Sequence, residues 1–416
     1  MTYLPRVIDS ELQLRLGAAG AVLIEGPKAC GKTASAREVA ASEVLLDIDA
    51  NARAAIEVAP EIVLAGETPR LIDEWQLEPA IWNHVRRAVD ERRAPGQFIL
   101  TGSLVPVDDM VRHTGAGRIS RLRMRPMALV ETGHSNGTVS LAALLRSEFE
   151  TTPDPGLTIP EIAERVAVGG WPQLQTLAVP QAIQSMRDYL DETCRVDITR
   201  VDGVRRDPAR IRRLASSLAR NVATMATSTS LAADTGGDEG PIGADTVREY
   251  LAALDRLMVV EDQPAWAPHL RSRSILRSSP KRHFVDPALA VAAMRATPDR
   301  LLREIRWLGQ LFESLVVRDL RIAAQANDAV VHHYRDNLGL EIDAVVASAG
   351  GPWAAFEIKL GHAAVDDAAS QLRSFAERVD TSICGEPAML GVIVGSGYGY
   401  RRPDGVAVIP IGSLGP

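Results

Sequence analysis

Lysine is nearly absent from this chain: of 46 basic residues only Lys28, Lys32, Lys281 and Lys359 are lysine, and all the others are arginine. A chain that accepts arginine almost anywhere keeps a lysine where a compact point charge is needed that a planar guanidinium cannot supply. Lys32 has such a role in the motif described next, and Lys359 is the lysine left to explain. Cysteine is also scarce. Cys30, Cys194 and Cys384 have no metal-ligand spacing and make no disulfide framework, which excludes a cystine-stapled scaffold and suits a reducing compartment. No run of eighteen apolar residues occurs and no basic-then-apolar leader opens the chain, so the expectation is a cytoplasmic protein without a membrane partner. The net charge of −7 offers no global basic field, so any nucleic-acid binding has to come from local patches. There is no internal repeat. With 416 residues, 46% of them hydrophobic, the chain is expected to fold into two or three domains.

What is present begins with a short apolar run, Gly20 to Ile24, that ends in Gly26, Pro27, Lys28, Ala29, Cys30, Gly31, Lys32 and Thr33. This is the spacing of a phosphate-binding loop. Its backbone N–H groups cradle phosphate, Gly26 and Gly31 let the backbone close, Lys32 reaches the β- and γ-phosphates, and Thr33 puts its hydroxyl on Mg²⁺. ATP and Mg²⁺ are therefore the expected cofactors, with a strand at 20–25 before the loop and a helix over 33–41 after it. A second strand is expected at 43–50. Arg70-Leu-Ile-Asp-Glu-Trp-Gln76 reads as a third strand ending in two carboxylates. Asp73 would hold the Mg²⁺ shell and Glu74 would polarise the attacking water. A helix over 78–93 leads to Gln97-Phe-Ile-Leu-Thr-Gly-Ser103, a buried strand on which Thr101 or Ser103 is the natural phosphate sensor. Strands and helices that alternate in this way imply a parallel sheet with its ligand at the carboxyl edge. Of the arginines that follow, Arg112, Arg118, Arg121, Arg123 and Arg125, we select Arg118 to stabilise γ-phosphoryl charge, in cis or across the interface of a homo-oligomer.

These motifs, together with Pro126-Met127 and Gly169-Gly-Trp-Pro172, resemble the prokaryotic AAA+ ATPases of the AAA_14 type that carry a C-terminal DUF4143 region. Trp171 departs from the small aromatic more usual in the glycine-glycine motif. The resemblance runs along essentially the whole chain and implies an α/β protein: a P-loop AAA+ ATPase domain, a central winged-helix segment and a C-terminal restriction-endonuclease-like α/β domain of the PD-(D/E)XK kind. On the residues, the expected boundaries are 1–135 for the ATPase, 136–160 for a linker rich in Gly, Ser, Thr and Pro, 161–300 for a helical and winged-helix domain and 301–416 for the nuclease-like domain.

In the middle, helices are expected over 160–168, 180–200, 208–226 and 245–257. The last of these presents Thr246 and Arg248 at its start, as a groove-entering helix requires, with Met258 to Val260 and Trp266 as the wing. Arg271, Arg273, Arg277, Lys281 and Arg282 follow among serines, a composition suited to nucleic-acid phosphates, DNA above all. A long helix over 301–325 carries Glu313. Strands are expected at 330–335, 340–347 and 353–360, a helix at 363–379, and strands at 388–395 and 406–410. Asp343 precedes Glu357-Ile-Lys359, and alternation puts Glu357 and Lys359 on one face. The two carboxylates would chelate Mg²⁺ or Mn²⁺ and Lys359 would serve the attacking water, with Glu313 and Gln371 in support. Two functions follow. One is an ATPase whose nucleotide state controls a Mg²⁺-dependent nuclease-like module acting on nucleic acid. The other is a nucleotide-driven switch that holds DNA or a partner while the nuclease-like domain serves as an inactive scaffold.

Overall fold

The computed structural model describes residues 3–103, 114–237, 240–268 and 279–416. The chain divides into two compact units. The first comprises Met1–Pro126 with the short segments Val196–Arg205 and Ala253–Met258, and the second comprises Met127–Arg195, Arg206–Ala252 and Val259–Pro416.

The first unit is built on five parallel strands, β1 (Ala21–Glu25), β2 (Ser42–Leu45), β3 (Arg70–Asp73), β4 (Phe98–Gly102) and β5 (Ile119–Arg123), in the spatial order β2-β3-β4-β1-β5. Alternation sorts β1 between two cores. Ala21 and Leu23 join Trp75, Trp82, Val85 and Phe98 on one side, while Val22 and Ile24 join Leu12, Leu71, Ile99 and Leu122 on the other. A parallel sheet covered on both faces needs such continuous apolar runs. The strand expected at 43–50 ends at Leu45, because Asp49 instead caps the helix Ala50–Val58 by accepting from the Ala52 N–H. The helix after the loop is also shorter than expected, Lys32–Arg37.

The second unit contains a six-stranded sheet in the order β11-β12-β10-β9-β8-β7. Its strands are β7 (Ala329–Arg335), β8 (Glu341–Ser348), β9 (Trp353–Lys359), β10 (Met389–Val394), β11 (Tyr400–Arg401) and β12 (Ala407–Pro410). β7, β8 and β9 are antiparallel, β9, β10 and β12 are parallel, and β11 returns antiparallel at the edge. The helix Ile305–Ala326 packs on β7, β8 and β9, and the helix Val365–Arg378 on β8, β9 and β10. The helix expected over 301–325 is broken at Glu304 into Pro298–Arg303 and Ile305–Ala326. The helix expected over 180–200 ends as Val179–Glu192, where a wider turn over Thr193–Asp197 begins.

Residues 127–160 are part of this unit. The expected linker is pinned by β6 (Val139–Ser140), which pairs in parallel with β13 (Leu414–Gly415), and by the Ser135 hydroxyl donating to the Leu414 carbonyl at 2.7 Å. The expected wing is likewise internal. Val260 and Gln263 bridge Phe284 and Lys281, Ala265 bridges His333, and Trp266 stacks among Trp353, Tyr334 and Phe375, so these residues build the C-terminal core.

One buried ion network ties distant segments of the second unit together. Arg318 donates to Asp286 at 2.6 Å and to Asp319 at 2.7 Å, and all three side chains are buried. Asp286 also accepts the Gly170 and Ala288 N–H groups, and Asp319 accepts that of Leu129. This explains the glycine pair. Gly169 has φ +74°, and a Cβ on Gly170 would lie 2.2 Å from the Met127 carbonyl oxygen. Arg318→Met should remove the shared counter-charge and lower the unfolding free energy in urea by roughly 3–5 kcal/mol. A loss below about 1 kcal/mol would show that the network does not hold the unit together.

Candidate functional site

In the first unit β1 delivers the loop at its carboxyl end, and the backbone there is specialised. Ala29 has φ +58° and Gly31 φ +109°, and a Cβ at Gly26 would lie 2.3 Å from the Met124 carbonyl oxygen, so the loop closes only with glycine at this position. Lys32 is buried and its ammonium donates to the carbonyls of Gly26 and Pro27, both at 2.9 Å, so the lysine lies folded over its own loop. Thr33 donates to Asp73 Oδ1 at 2.8 Å, and the Thr101 hydroxyl donates to the same oxygen. Asp73 therefore joins the loop, β3 and β4. Glu74 follows with φ +53°, a left-handed conformation that costs a non-glycine residue about 1–3 kcal/mol and tends to mark working sites. Its Oε2 accepts from Ser103 at 3.3 Å and from Gln76. Of the two sensor candidates, Thr101 thus touches Asp73 and Ser103 touches Glu74.

Two expected residues lie elsewhere. Lys28 turns outward and pairs with the buried Asp197. The Arg118 carbonyl accepts the Ala21 N–H at the start of β1, and its guanidinium pairs with Asp90 at 2.8 Å. The length of β1, about 17 Å at 3.3 Å per residue, separates it from the loop, which removes a role in cis. Arg6, which sequence reasoning missed, is buried and braces the loop by donating to the carbonyls of Cys30 at 2.9 Å and Arg125 at 2.8 Å. No local motif announces it.

The second constellation lies in the C-terminal unit. Lys359 Nζ is 2.5 Å from Glu357 and 3.1 Å from Asp343, whose Oδ2 also accepts the Ile358 N–H at 3.0 Å. Lys281, expected at a nucleic-acid surface, is instead only 1% exposed, with its ammonium 2.8 Å from Glu313, 2.9 Å from Glu341 and 3.2 Å from Asp343. Arg282 also turns inward and pairs with Asp262. Arg248 is exposed and pairs with Asp245 on its own helix, while Arg112, Arg271, Arg273 and Arg277 lie outside the described residues. Gln371 donates to the Glu341 carbonyl and reaches none of the four carboxylates by a described hydrogen bond. Glu341 was missed, although its place two residues before Asp343 on β8 puts it on the same face.

Burial pushes the Glu313 and Glu357 carboxyls up to about 8, and the Asp343 charge adds to the push against the opposing lysines. Asp343 moves the other way. Burial would raise it, but Lys281, Lys359 and the Ile358 N–H hold it ionised, down to about 2. For Lys281, burial favours the neutral amine, yet Glu313, Asp343 and Glu341 outweigh it and raise its pKa well above the ordinary range.

Residues 18–133 match the family described as an AAA domain, residues 159–300 a domain of unknown function, DUF8612, and residues 308–414 another, DUF4143. No curated protein matches the chain. Among solved structures it is similar to the Walker-type ATPase PABY2304 of Pyrococcus abyssi, with 13% identity and a TM-score of 0.41 over 70% of this chain and 96% of that one. The N-terminal region is thus an AAA-type ATPase domain with a P-loop fold.

The two loop lysines should separate in binding. Calorimetry with a slowly hydrolysed ATP analogue should show Lys32→Ala weakening affinity at least about tenfold, near 1.4 kcal/mol. Lys28→Ala, which loses a pair with Asp197, should weaken it by no more than roughly threefold. Equal losses would contradict the assignment.

Proposed function

We propose that this protein is a Mg²⁺-dependent ATP hydrolase acting as a nucleotide-driven switch, with a nucleic acid, DNA first, as the partner of its C-terminal unit. One observation carries the hydrolase reading: the Thr33 and Thr101 hydroxyls converge on Asp73, with Glu74 the next residue and Lys32 in the same loop. The residues fit the group they would hold, since Ala29 and Gly31 are left-handed and a Cβ at Gly26 would meet the Met124 carbonyl, which together shape a closed backbone cradle. Thr33 and Asp73 would hold Mg²⁺, which when bound neutralises phosphate charge. Lys32 exchanges two carbonyl acceptors for phosphate oxygens. Thr101 keeps Asp73 aligned, and Glu74, oriented by Gln76 and Ser103, holds the attacking water as general base. A role for Arg118 at this site would require a second copy of the chain.

For the C-terminal unit, the reading as a binding switch is preferred to cleavage, because every carboxylate expected to chelate metal is already engaged by an ammonium. A phosphate-bearing partner is supported by a cavity of about 630 Å³ lined by Arg220, Arg303, Arg306, Trp307 and the Arg300–Glu304 pair, a lining in which arginine outnumbers the one carboxylate.

Glu74→Gln tests the mechanism. ATP binding should be retained while turnover falls by roughly 10²–10⁴, because the amide keeps the shape and loses the base. Undiminished turnover in this variant would remove Glu74 from the chemistry.

A further inference from the structure

A divalent metal at the C-terminal site would need at least three oxygen donors converging at about 2.0–2.6 Å. The side chains now present do not fit such an ion. Asp343 Oδ1 faces Lys281, and Asp343 Oδ2 faces Lys359 and the Ile358 N–H. Glu313 Oε1 and Glu341 Oε1 face Lys281, and Glu357 Oε2 faces Lys359, while the buried Glu357 Oε1 has no hydrogen-bond partner among the described residues. Among the described residues, no three His, Cys, Asp or Glu side chains are grouped to hold a metal ion. The point where three carboxylates from two elements converge, Glu313 on the helix Ile305–Ala326 and Glu341 and Asp343 on β8, is taken by the Lys281 ammonium.

The lysine is brought there by a backbone that the sequence specifies on both sides. The Lys281 N–H donates to the Gln263 carbonyl at 3.0 Å, and the Gln263 N–H returns the bond at 2.9 Å. The Gln263 side chain donates to the Asp343 and His332 carbonyls at 3.0 and 2.9 Å, which fixes its amide and leaves Oε1 to accept from His283 Nε2 at 3.2 Å. His283 Nδ1 then accepts from the Ser314 hydroxyl at 3.1 Å. Gln263, Lys281, His283, Ser314 and Asp343 are all buried, so the segment that carries Lys281 is locked against the sheet and the long helix. This also explains why an arginine-rich chain keeps lysine here. A planar guanidinium is too wide for a point among three carboxylate oxygens, whereas the compact ammonium donates to Glu313 and Asp343 and keeps Glu341 within ion-pair distance.

We infer that Lys281 is the resident cation of this carboxylate cluster, occupying the place a divalent metal would need, and that its removal turns the cluster into a metal site. The inference rests on the geometry of the cluster and stands whether or not the first unit hydrolyses ATP. With Lys281 in place, its ammonium holds the point from which a divalent ion would reach Glu313, Glu341 and Asp343 together.

The test is Mn²⁺ titration of the full chain without nucleotide, followed by the electron paramagnetic resonance of free Mn²⁺, with circular dichroism to verify folding. For the wild type, Glu313→Gln should leave Mn²⁺ uptake unchanged. Lys281→Ala should gain one Mn²⁺ per chain, and that gain should vanish in the double variant Lys281→Ala with Glu313→Gln. A folded Lys281→Ala chain that gains no Mn²⁺ overturns the inference. So does wild-type Mn²⁺ binding that Glu313→Gln weakens tenfold or more, a result readable even if Lys281→Ala does not fold.

Discussion

A charge carried into a protein interior has to be met there by an opposite charge, since the penalty for leaving it unmet is several kcal/mol per ion. The C-terminal unit is organised around two places where that condition is satisfied. At Arg318, one guanidinium serves Asp286 and Asp319, and through these two carboxylates it reaches the glycine pair at 169–170, the helix Pro287–Ala293 and the backbone at Leu129. At Lys281, one ammonium serves Glu313, Glu341 and Asp343, drawing the segment around Lys281, the helix Ile305–Ala326 and β8 onto one point. Neither network works in part, so the segments that contribute to it have to assemble together.

The candidate nucleotide site follows the same rule with neutral partners. Lys32 satisfies its charge with loop carbonyls, and Asp73 is satisfied by two hydroxyls. These partners are neutral, so they can be exchanged for phosphate oxygens and a cation at little cost. In the C-terminal cluster the partners are themselves charged and covalently part of the chain, and the exchange is correspondingly hard. One protein thus holds a carboxylate, Asp73, met by neutral hydroxyls and a carboxylate cluster met by two ammonium groups of its own chain.

Much of this was legible from local sequence. The loop, β3 with its Asp73-Glu74 end and β4 each carry their own pattern, and all lie within about 80 residues, so a strand-loop-helix reading finds them. The order of elements in the C-terminal sheet was equally readable, because buried strands between helices leave apolar runs of recognisable length. What escaped reading depends on contacts between segments far apart in the chain. Lys281 lies in a serine- and arginine-rich stretch that looks solvated, and only its pairing with Gln263 turns it inward. Arg6 is set against the loop by tertiary packing alone. Arg118 was chosen for its position after the sensor strand, but the parallel register of β5 with β1 sets it at the opposite edge of the sheet. The supposed linker and wing were read from composition, and composition does not reveal that Val139 finds Leu414 or that Trp266 finds Trp353.

The account depends first on the N-terminal unit turning over ATP. The most direct measurement is phosphate release from saturating ATP by the purified full chain, with Mg²⁺ supplied and then chelated. The account predicts release that requires Mg²⁺ and stops on chelation. No release above the uncatalysed rate in the presence of Mg²⁺ would contradict it.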